Sequence, residues 1–209
     1  CGGPLDPEKG IIMRPPNLTD WDNVPLADIV KDELGIPCKV RNDADACALA
    51  EWRFGAGRGT KNMIFLTFGT GMGAGLILDG KLYSGTSDTA GEVGHIRLDS
   101  DGPVAYGKAG SFEGFCSGAG IAAMGKKMLA IYNGSTSIPY DNVTAKTIAE
   151  AAINGDRLAG AIYRRCGEKL GYALSILIDI LNPERIVIGS IFQRSGYLLA
   201  DAMNETIKK

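Results

Sequence analysis

The chain has 209 residues, enough for one large or two small domains with proper cores, and 45% hydrophobic with 22% charged content is ordinary for a globular protein. A net charge of −2 without a basic run argues against nucleic acid as a partner of this segment. Five scattered cysteines (Cys1, Cys38, Cys47, Cys116, Cys166) contain no C-x-x-C pair, which argues for a reducing, cytoplasmic setting and against a disulfide framework or zinc ribbon. The longest apolar stretch, 173–181, is short and contains Asp179, so no membrane span is expected. The chain opens on Cys1 without an initiator Met and reads as a piece of something longer.

In chain order, Cys1-Gly2-Gly3-Pro4-Leu5-Asp6-Pro7 is turn-rich, and Ile11-Ile12-Met13 is a brief apolar run. Residues 15–25 carry Pro15, Pro16 and Pro25 and read as an ordered loop, because the prolines forbid a helix. Leu26, Ile29, Val30 and Leu34 have helical spacing, Gly35 stops that helix, and 36–40 can form a short strand. Asn42-Asp43 precedes a strongly helical run through Trp52, ended by Gly55-Ala56-Gly57. A helix is expected over 119–131 and a polar loop over 133–142. Thr144 caps a helix through Asn154, and Gly155-Asp156 opens another that runs to Leu181. That long helix puts Leu158, Ile162, Cys166, Leu170, Leu174, Leu177 and Leu181 on one broad face. Asn182-Pro183 ends it, residues 185–189 read as a strand, and a final helix is expected over 197–207. Strands alternating with helices argue for an α/β protein.

At the centre lies Phe65-Leu66-Thr67-Phe68-Gly69-Thr70-Gly71-Met72-Gly73-Ala74-Gly75-Leu76-Ile77-Leu78-Asp79-Gly80. The apolar run 63–68 reads as a buried strand. Alternate glycines remove every second side chain, so another body can approach the backbone, and free amides at such a turn favour an anion. Gly69-x-Gly71-x-x-Ala74 also matches the letters of a dinucleotide fingerprint, but that motif needs a helix directly afterwards. Leu76-Ile77-Leu78 instead meets Asp79-Gly80 and then Lys81-Leu82-Tyr83, a hairpin signal. No Gly-Lys-Ser/Thr follows, which excludes a Walker-type loop. Two readings stand side by side: a hairpin that touches nucleotide phosphates, or one packed closely against other backbone.

Three further groups could carry chemistry. Asp43 sits where the chain enters a helix, so it can cap that helix, as can Asn42, or serve as a general base toward a hydroxyl. Glu92 and His95 lie three residues apart among glycines, and His95 is the chain's single histidine. With Glu113 they would form a cluster able to bind several sugar hydroxyls.

These motifs together resemble the ROK family of bacterial sugar kinases and sugar-responsive repressors. Asn42-Asp43-Ala44-Asp45-Ala46 with Leu49-Ala50-Glu51 is similar to its Asn-Asp-Ala stretch, and Gly69-Thr70-Gly71-Met72-Gly73 to its second phosphate motif. Ala90-Gly91-Glu92-Val93-Gly94-His95 is similar to its Glu-x-Gly-His signature, and Gly2-Gly3-Pro4-Leu5-Asp6 to its Gly-Pro-x-Asp turn. The resemblance covers nearly the whole chain. It implies an actin-like ATPase (ribonuclease H-like) fold, two α/β domains with a cleft between them. Residues 1–60 would be the end of the smaller N-terminal domain and 61–209 the larger domain. It implies that Asp43 is the base for a sugar 6-hydroxyl, and that Asn42, Glu92, His95 and Glu113 bind the sugar. Gly69, Thr70 and Gly71 would hold the phosphates of ATP with Mg²⁺, and Gly189 would lie near the adenosine. A homodimer is expected. The activity implied is a glucokinase-like hexose kinase, and the alternative is a regulator that binds sugar without phosphorylating it.

The chain departs from the family pattern twice. The family's zinc site takes the His of Glu-x-Gly-His and three cysteines in Cys-x-Cys-Gly-x-x-Gly-Cys-x-Glu. Here Val104, Tyr106 and Ser111 stand at those cysteine positions, while Gly107, Gly110 and Glu113 stay in register. Val and Tyr cannot replace thiolates, so no structural zinc is expected and the loop should be held by packing and hydrogen bonds. The family's first phosphate motif, Asp-x-Gly-Gly-Thr, is absent, and its C-terminal stretch reads as cut.

Overall fold

A computed structural model describes residues 1–15 and 18–209. Pro16 and Asn17, inside the expected 15–25 loop, lie outside the described residues, and Leu18 to Trp21 form turn and coil, not helix. The chain divides into two compact units: 1–65 with 74–91 and 184–187, and 66–73 with 92–183 and 188–209. The division falls within three strands of the central sheet, β3 (Met63–Phe68), β4 (Met72–Leu78) and β8 (Arg185–Ile188).

In the first unit, β1 (Leu5–Asp6) pairs antiparallel with β2 (Ile11–Ile12), and α1 (Leu26–Leu34) follows, closed by Gly35 in the left-handed conformation. The expected strand over 36–40 does not form. Pro37 removes a donor there, Ile36 is exposed, and the segment pairs with no strand among the described residues. Helix α2 (Asp43–Phe54) is capped by Asn42 and stopped at Gly55. Its Ala48 packs with Met63, Phe65 and Ile77, and Leu49, Trp52, Leu82 and Val187 surround them. Gly75 makes this packing possible. A Cβ there would lie 2.5 Å from the Ala44 carbonyl oxygen and 2.5 Å from the Ala48 methyl, so the helix rests directly on bare strand backbone.

The central hairpin follows its sequence signal. β4 meets β5 (Lys81–Tyr83) antiparallel with Leu78 opposite Lys81, and the two turn residues, Asp79 and Gly80, have φ of 49° and 69°. Positive φ at both positions matches the twist of the strands, and Asp-Gly tolerates it. Among the described residues the sheet order is β5-β4-β3-β8, with β8 at Arg185–Ile188.

The second unit is mostly helical. Its chain forms a small hairpin, β6 (Val104–Ala105) with β7 (Lys108–Ala109), then α3 (Phe112–Phe115) and α4 (Gly118–Ile131). Helices α5 (Ala145–Ile153) and α6 (Arg157–Leu181) carry their expected caps, Thr144 and Asp156. The apolar stripe of α6 is buried from Leu158 to Leu177. The helix expected over 197–207 begins three residues later, as α8 (Ala200–Ile207); ahead of it stand α7 (Ile191–Ser195), which was not expected, and a tight 3₁₀ turn at Gly196–Leu198. The amide of Leu199 bonds back three residues to Gly196, which narrows the coil and separates the helices. α8 lies close against α6 because Gly167 and Gly171 present no side chain to it; a Cβ at either would lie within 2.6 Å of a carbonyl of the 199–203 segment. No described helix is long and apolar enough to cross a membrane.

Asp156 does two jobs at the start of α6. Oδ1 accepts from the Ala159 amide at 2.9 Å, and Oδ2 accepts from the Ser137 amide at 2.6 Å, tying the 133–142 loop to the helix. Burial alone would push its carboxyl up, but these amides and the hydroxyls of Thr136 and Ser137 outweigh burial and hold it below the usual range. Replacing the cap with Ala should lower the unfolding free energy by about 1 kcal/mol at neutral pH, with Asp156→Asn losing less. A depressed carboxyl stabilises the fold above its unfolded pKa and loses that contribution as pH falls through the folded value. The difference between wild type and Asp156→Ala in denaturant melts should therefore shrink as pH falls below 4.

Candidate functional site

The Gly-rich turn organises the second unit. The Gly69 carbonyl accepts from the Gly118 amide at 2.8 Å, and the Gly189 amide donates to the Leu66 carbonyl at 3.0 Å. These bonds bring the start of α4 and the end of β8 to the same turn. Two amides of the 69–74 backbone are available. Gly69 NH donates to the Gly71 carbonyl, Met72 NH to Glu113, Gly73 NH to the Thr67 hydroxyl and Ala74 NH to the Gly91 carbonyl. Among the described residues, the Thr70 and Gly71 amides donate to no protein acceptor. Both residues reach solvent, so these donors are open to an anion.

Beside Gly69 and Thr70 lies a cavity of about 720 Å³. Ser190 and Ile191 from the β8–α7 junction line it, with Ala145, Ala149 and Ile153 of α5 on another wall. Lys146 and Arg194 supply positive charge, and Tyr163 and Tyr197 supply aromatic surface. The Tyr163 phenol is buried and donates to the Ala145 carbonyl at 2.8 Å; burial pushes its pKa up to about 12, so it stays a neutral donor that fixes the start of α5. A concave wall of this size with polar groups at one end suits a small molecule carrying a flat apolar part and an anionic part. Gly189 belongs to this neighbourhood through its bond to Leu66. The α5 and α7 residues carried no sequence signal, because they come from separate elements and form no motif.

Glu92 and His95 come together beside the same turn, and Glu113 packs against Gly94 between them. Glu92 and His95 bracket a 3₁₀ turn, Val93–His95, that brings the His95 Nε2 to 3.9 Å from a Glu92 carboxylate oxygen. Gly94 allows the turn to sit flat: a Cβ there would lie 2.2 Å from the Met72 carbonyl oxygen and 3.2 Å from the Glu113 Cβ. Glu113 stands in the first turn of α3, capped by Ser111, whose buried hydroxyl accepts from the Gly114 amide at 3.1 Å. One Glu113 oxygen accepts from Met72 NH at 2.8 Å, so the carboxylate is held by the strand that also forms the phosphate-like turn.

Of the residues at the family's cysteine positions, Val104 is exposed, Ser111 caps α3, and the Tyr106 ring lies against His95 with centroids 4.7 Å apart. That donor set does not fit zinc. The Lys108 ammonium donates to the His95 carbonyl at 2.8 Å.

In the first unit, Asn42 and Asp43 open α2. Asn42 is the cap, its Oδ1 accepting from Ala44 NH at 2.8 Å; Asp43 Oδ1 lies 3.0 Å from the same amide. Asp43 is exposed, and its own amide donates to the Cys1 carbonyl at 3.0 Å. Asp45, two residues on, is buried at 6% exposure and accepts from the Ser84 hydroxyl at 3.1 Å. Burial pushes its carboxyl up, while Ser84 and the nearby Arg41 pull the other way.

The model of the ROK family matches residues 1–209. The chain is 34% identical to a glucokinase of Thermotoga maritima, covering 98% of this chain and 66% of that protein. It is also 34% identical to a xylose repressor of Caldicellulosiruptor bescii, covering 99% of this chain and 53% of the repressor. The chain therefore spans about half to two thirds of the length of the curated relatives it matches. Among solved structures, a ROK family glucokinase from Streptomyces griseus in complex with glucose and AMPPNP superposes with a TM-score of 0.81 at 32% identity, covering 99% of this chain and 69% of that one.

The buried Asp45 gives a pH-dependent test. A carboxyl raised by burial holds its proton more tightly when folded, so its ionisation weakens the fold as pH rises above the ordinary carboxylate range. Asp45→Asn keeps an oxygen for Ser84 and carries no charge. It should raise the melting temperature at pH 7 to 8, with the gain vanishing near pH 4.

Proposed function

The chain belongs to the ROK family and has its actin-like ATPase fold, and from that premise we propose that it carries the catalytic machinery of an ATP-dependent hexose kinase, glucose being the expected acceptor. One observation carries this reading. A single turn offers two open amides, at Thr70 and Gly71, beside a nucleotide-sized cavity, and its next residue, Met72, is gripped by Glu113 of the sugar cluster. Phosphoryl donor and acceptor would thus be registered by one stretch of backbone. In this reading residues 1–60 are the end of the smaller N-terminal domain and 61–209 the larger domain.

Each residue then has a role. Asp43 draws the proton from the sugar 6-hydroxyl as that oxygen attacks the γ-phosphorus. Asn42, Glu92, His95 and Glu113 bind the remaining hydroxyls, the carboxylates accepting only. The Thr70 and Gly71 amides, with Gly69, receive the terminal phosphates, and Gly189 and Ser190 lie toward the adenosine. The open amides with Lys146 and Arg194 fit a polyphosphate ligand, and Mg²⁺ bound with ATP would neutralise the charge that develops on its oxygens. Phosphoryl transfer depends mainly on such positioning and charge stabilisation, so a base at an exposed helix start is adequate for the proton.

A second reading has its own support. The xylose repressor is as similar to this chain as the Thermotoga maritima glucokinase, so a regulator that binds a sugar without turnover is the alternative. The two part at Asp43. Because Asn42 already caps α2, Asp43→Asn leaves the helix start intact. In the intact protein this variant should keep its sugar affinity while kcat falls by about 10²- to 10⁴-fold. An ADP-release assay with ATP and Mg²⁺ over hexoses, N-acetylhexosamines and ketohexoses checks this. Glucose should be used better than 2-deoxyglucose, since the missing hydroxyl leaves an acceptor unpaired at about 1–3 kcal/mol. Tight sugar binding without ADP release from any of them would favour the regulator. A near-normal kcat in Asp43→Asn would reduce Asp43 to a bystander of the helix cap.

A further inference from the structure

Tyr106 occupies an unusual place. It and Gly107 form the two-residue turn between β6 and β7, where Ala105 pairs with Lys108. Their φ values are 48° and 68°. Positive φ at both turn positions is the geometry of a tight hairpin, but Asn, Asp or Gly normally take the first position, and a bulky aromatic seldom does. A side chain held in a sparsely populated backbone conformation invites a search for what it does there.

What it does is visible from the ring. The turn folds Tyr106 onto His95, with centroids 4.7 Å apart and planes tilted by 60°, an arrangement aromatic rings favour. Although Tyr106 is 65% exposed, the part of it that is covered, and then the charges of Glu113 and Glu92, push the phenol up. From the same hairpin, Lys108 holds the His95 carbonyl at 2.8 Å. The hairpin therefore grips His95 twice, by main chain and by ring, although the residue is exposed and its closest ionic partner, Glu92, is 3.9 Å away.

We propose that Tyr106 is a positioning residue for the sugar site, its ring fixing the His95 imidazole beside Glu92 in the role a metal would otherwise fill. An imidazole free to rotate must be ordered when a hydroxyl binds; one already seated against Tyr106 is not penalised in this way. The stack thus acts on sugar binding and leaves phosphoryl transfer alone. This inference rests on the sugar reading of the Glu92, His95 and Glu113 cluster, but not on turnover.

His95 is the only histidine, so its imidazole proton resonances are identified without assignment. In the intact protein, nuclear Overhauser contacts should join them to Tyr106 ring protons, and Tyr106→Ala should shift them. Sugar affinity is measured by calorimetry without nucleotide, using the tightest binder among glucose, N-acetylmannosamine and fructose. Tyr106→Ala should weaken it by roughly two- to tenfold, as expected for losing one aromatic pair. Tyr106→Phe should restore it. Where turnover is detected, KM for the sugar should rise while kcat and KM for ATP stay within about twofold. Unchanged His95 resonances in Tyr106→Ala, unchanged sugar affinity, failure of Phe to rescue, or one zinc per chain by elemental analysis would each overturn the proposal. Sugar binding with the expected Tyr106 effect but no ADP release would sustain it and sink the kinase reading instead.

Discussion

Close approach to the backbone of one strand governs both units. In the first, Gly75 lets α2 rest on β4 with Ala44 and Ala48 where a side chain would stand. In the second, Gly94 lets the Glu92–His95 turn lie against Met72, and the empty side of Gly71 leaves room for the Glu113 carboxylate, 2.9 Å from where a Cβ would be. Within β4 itself Gly75 weakens the strand, at about 0.5–1 kcal/mol relative to Ala. The gain is that functional groups are placed by main chain, which has few ways to move, and not by long side chains.

The same constraint explains how much was legible. The sequence is equally compatible with a phosphate turn and a packing hairpin, and the glycines differ in what lies against them. Gly75 packs against α2, whereas Gly69 and Thr70 border the cavity. Alternation of glycine identifies a bare backbone but not what covers it, since the covering elements are distant in sequence. Caps were readable because they are local: Thr144 and Asp156 bond amides within three residues. The 36–40 strand was misread because strand propensity needs a partner strand, and Pro37 weakens any claim on one. The final helix starts at Ala200 and not at Tyr197 because a 3₁₀ turn takes up 196–198, and the short α7 before it has no apolar period to announce it.

Site residues divide in the same way. Glu92 and His95 lie three apart, and a turn alone brings them together. Glu113 joins them only because α3 is capped by Ser111 and anchored through Phe112 NH to the Ile96 carbonyl at 2.8 Å. Ser111 and Tyr106 were read from sequence only as the wrong atoms for zinc. Their positive roles, a cap and a ring stack, need coordinates, because replacing a thiolate with a hydroxyl or a phenol says what chemistry is lost but not what holds the loop afterwards.

A kinase and a sugar sensor place different demands on these parts. Both need hydroxyl partners, the role proposed above for Glu92, His95 and Glu113. Only a kinase needs donors kept free for charge that appears during the reaction. The neighbouring amides of the central turn are consumed by Gly71, Glu113, Thr67 and Gly91, which leaves the Thr70 and Gly71 amides without an acceptor among the described residues. Thr70 is exposed and Gly71 partly so, so water can satisfy these amides at little cost in the absence of a ligand. A site that only registers a sugar makes no demand for such donors, and this difference is why the kinase is the reading we propose first.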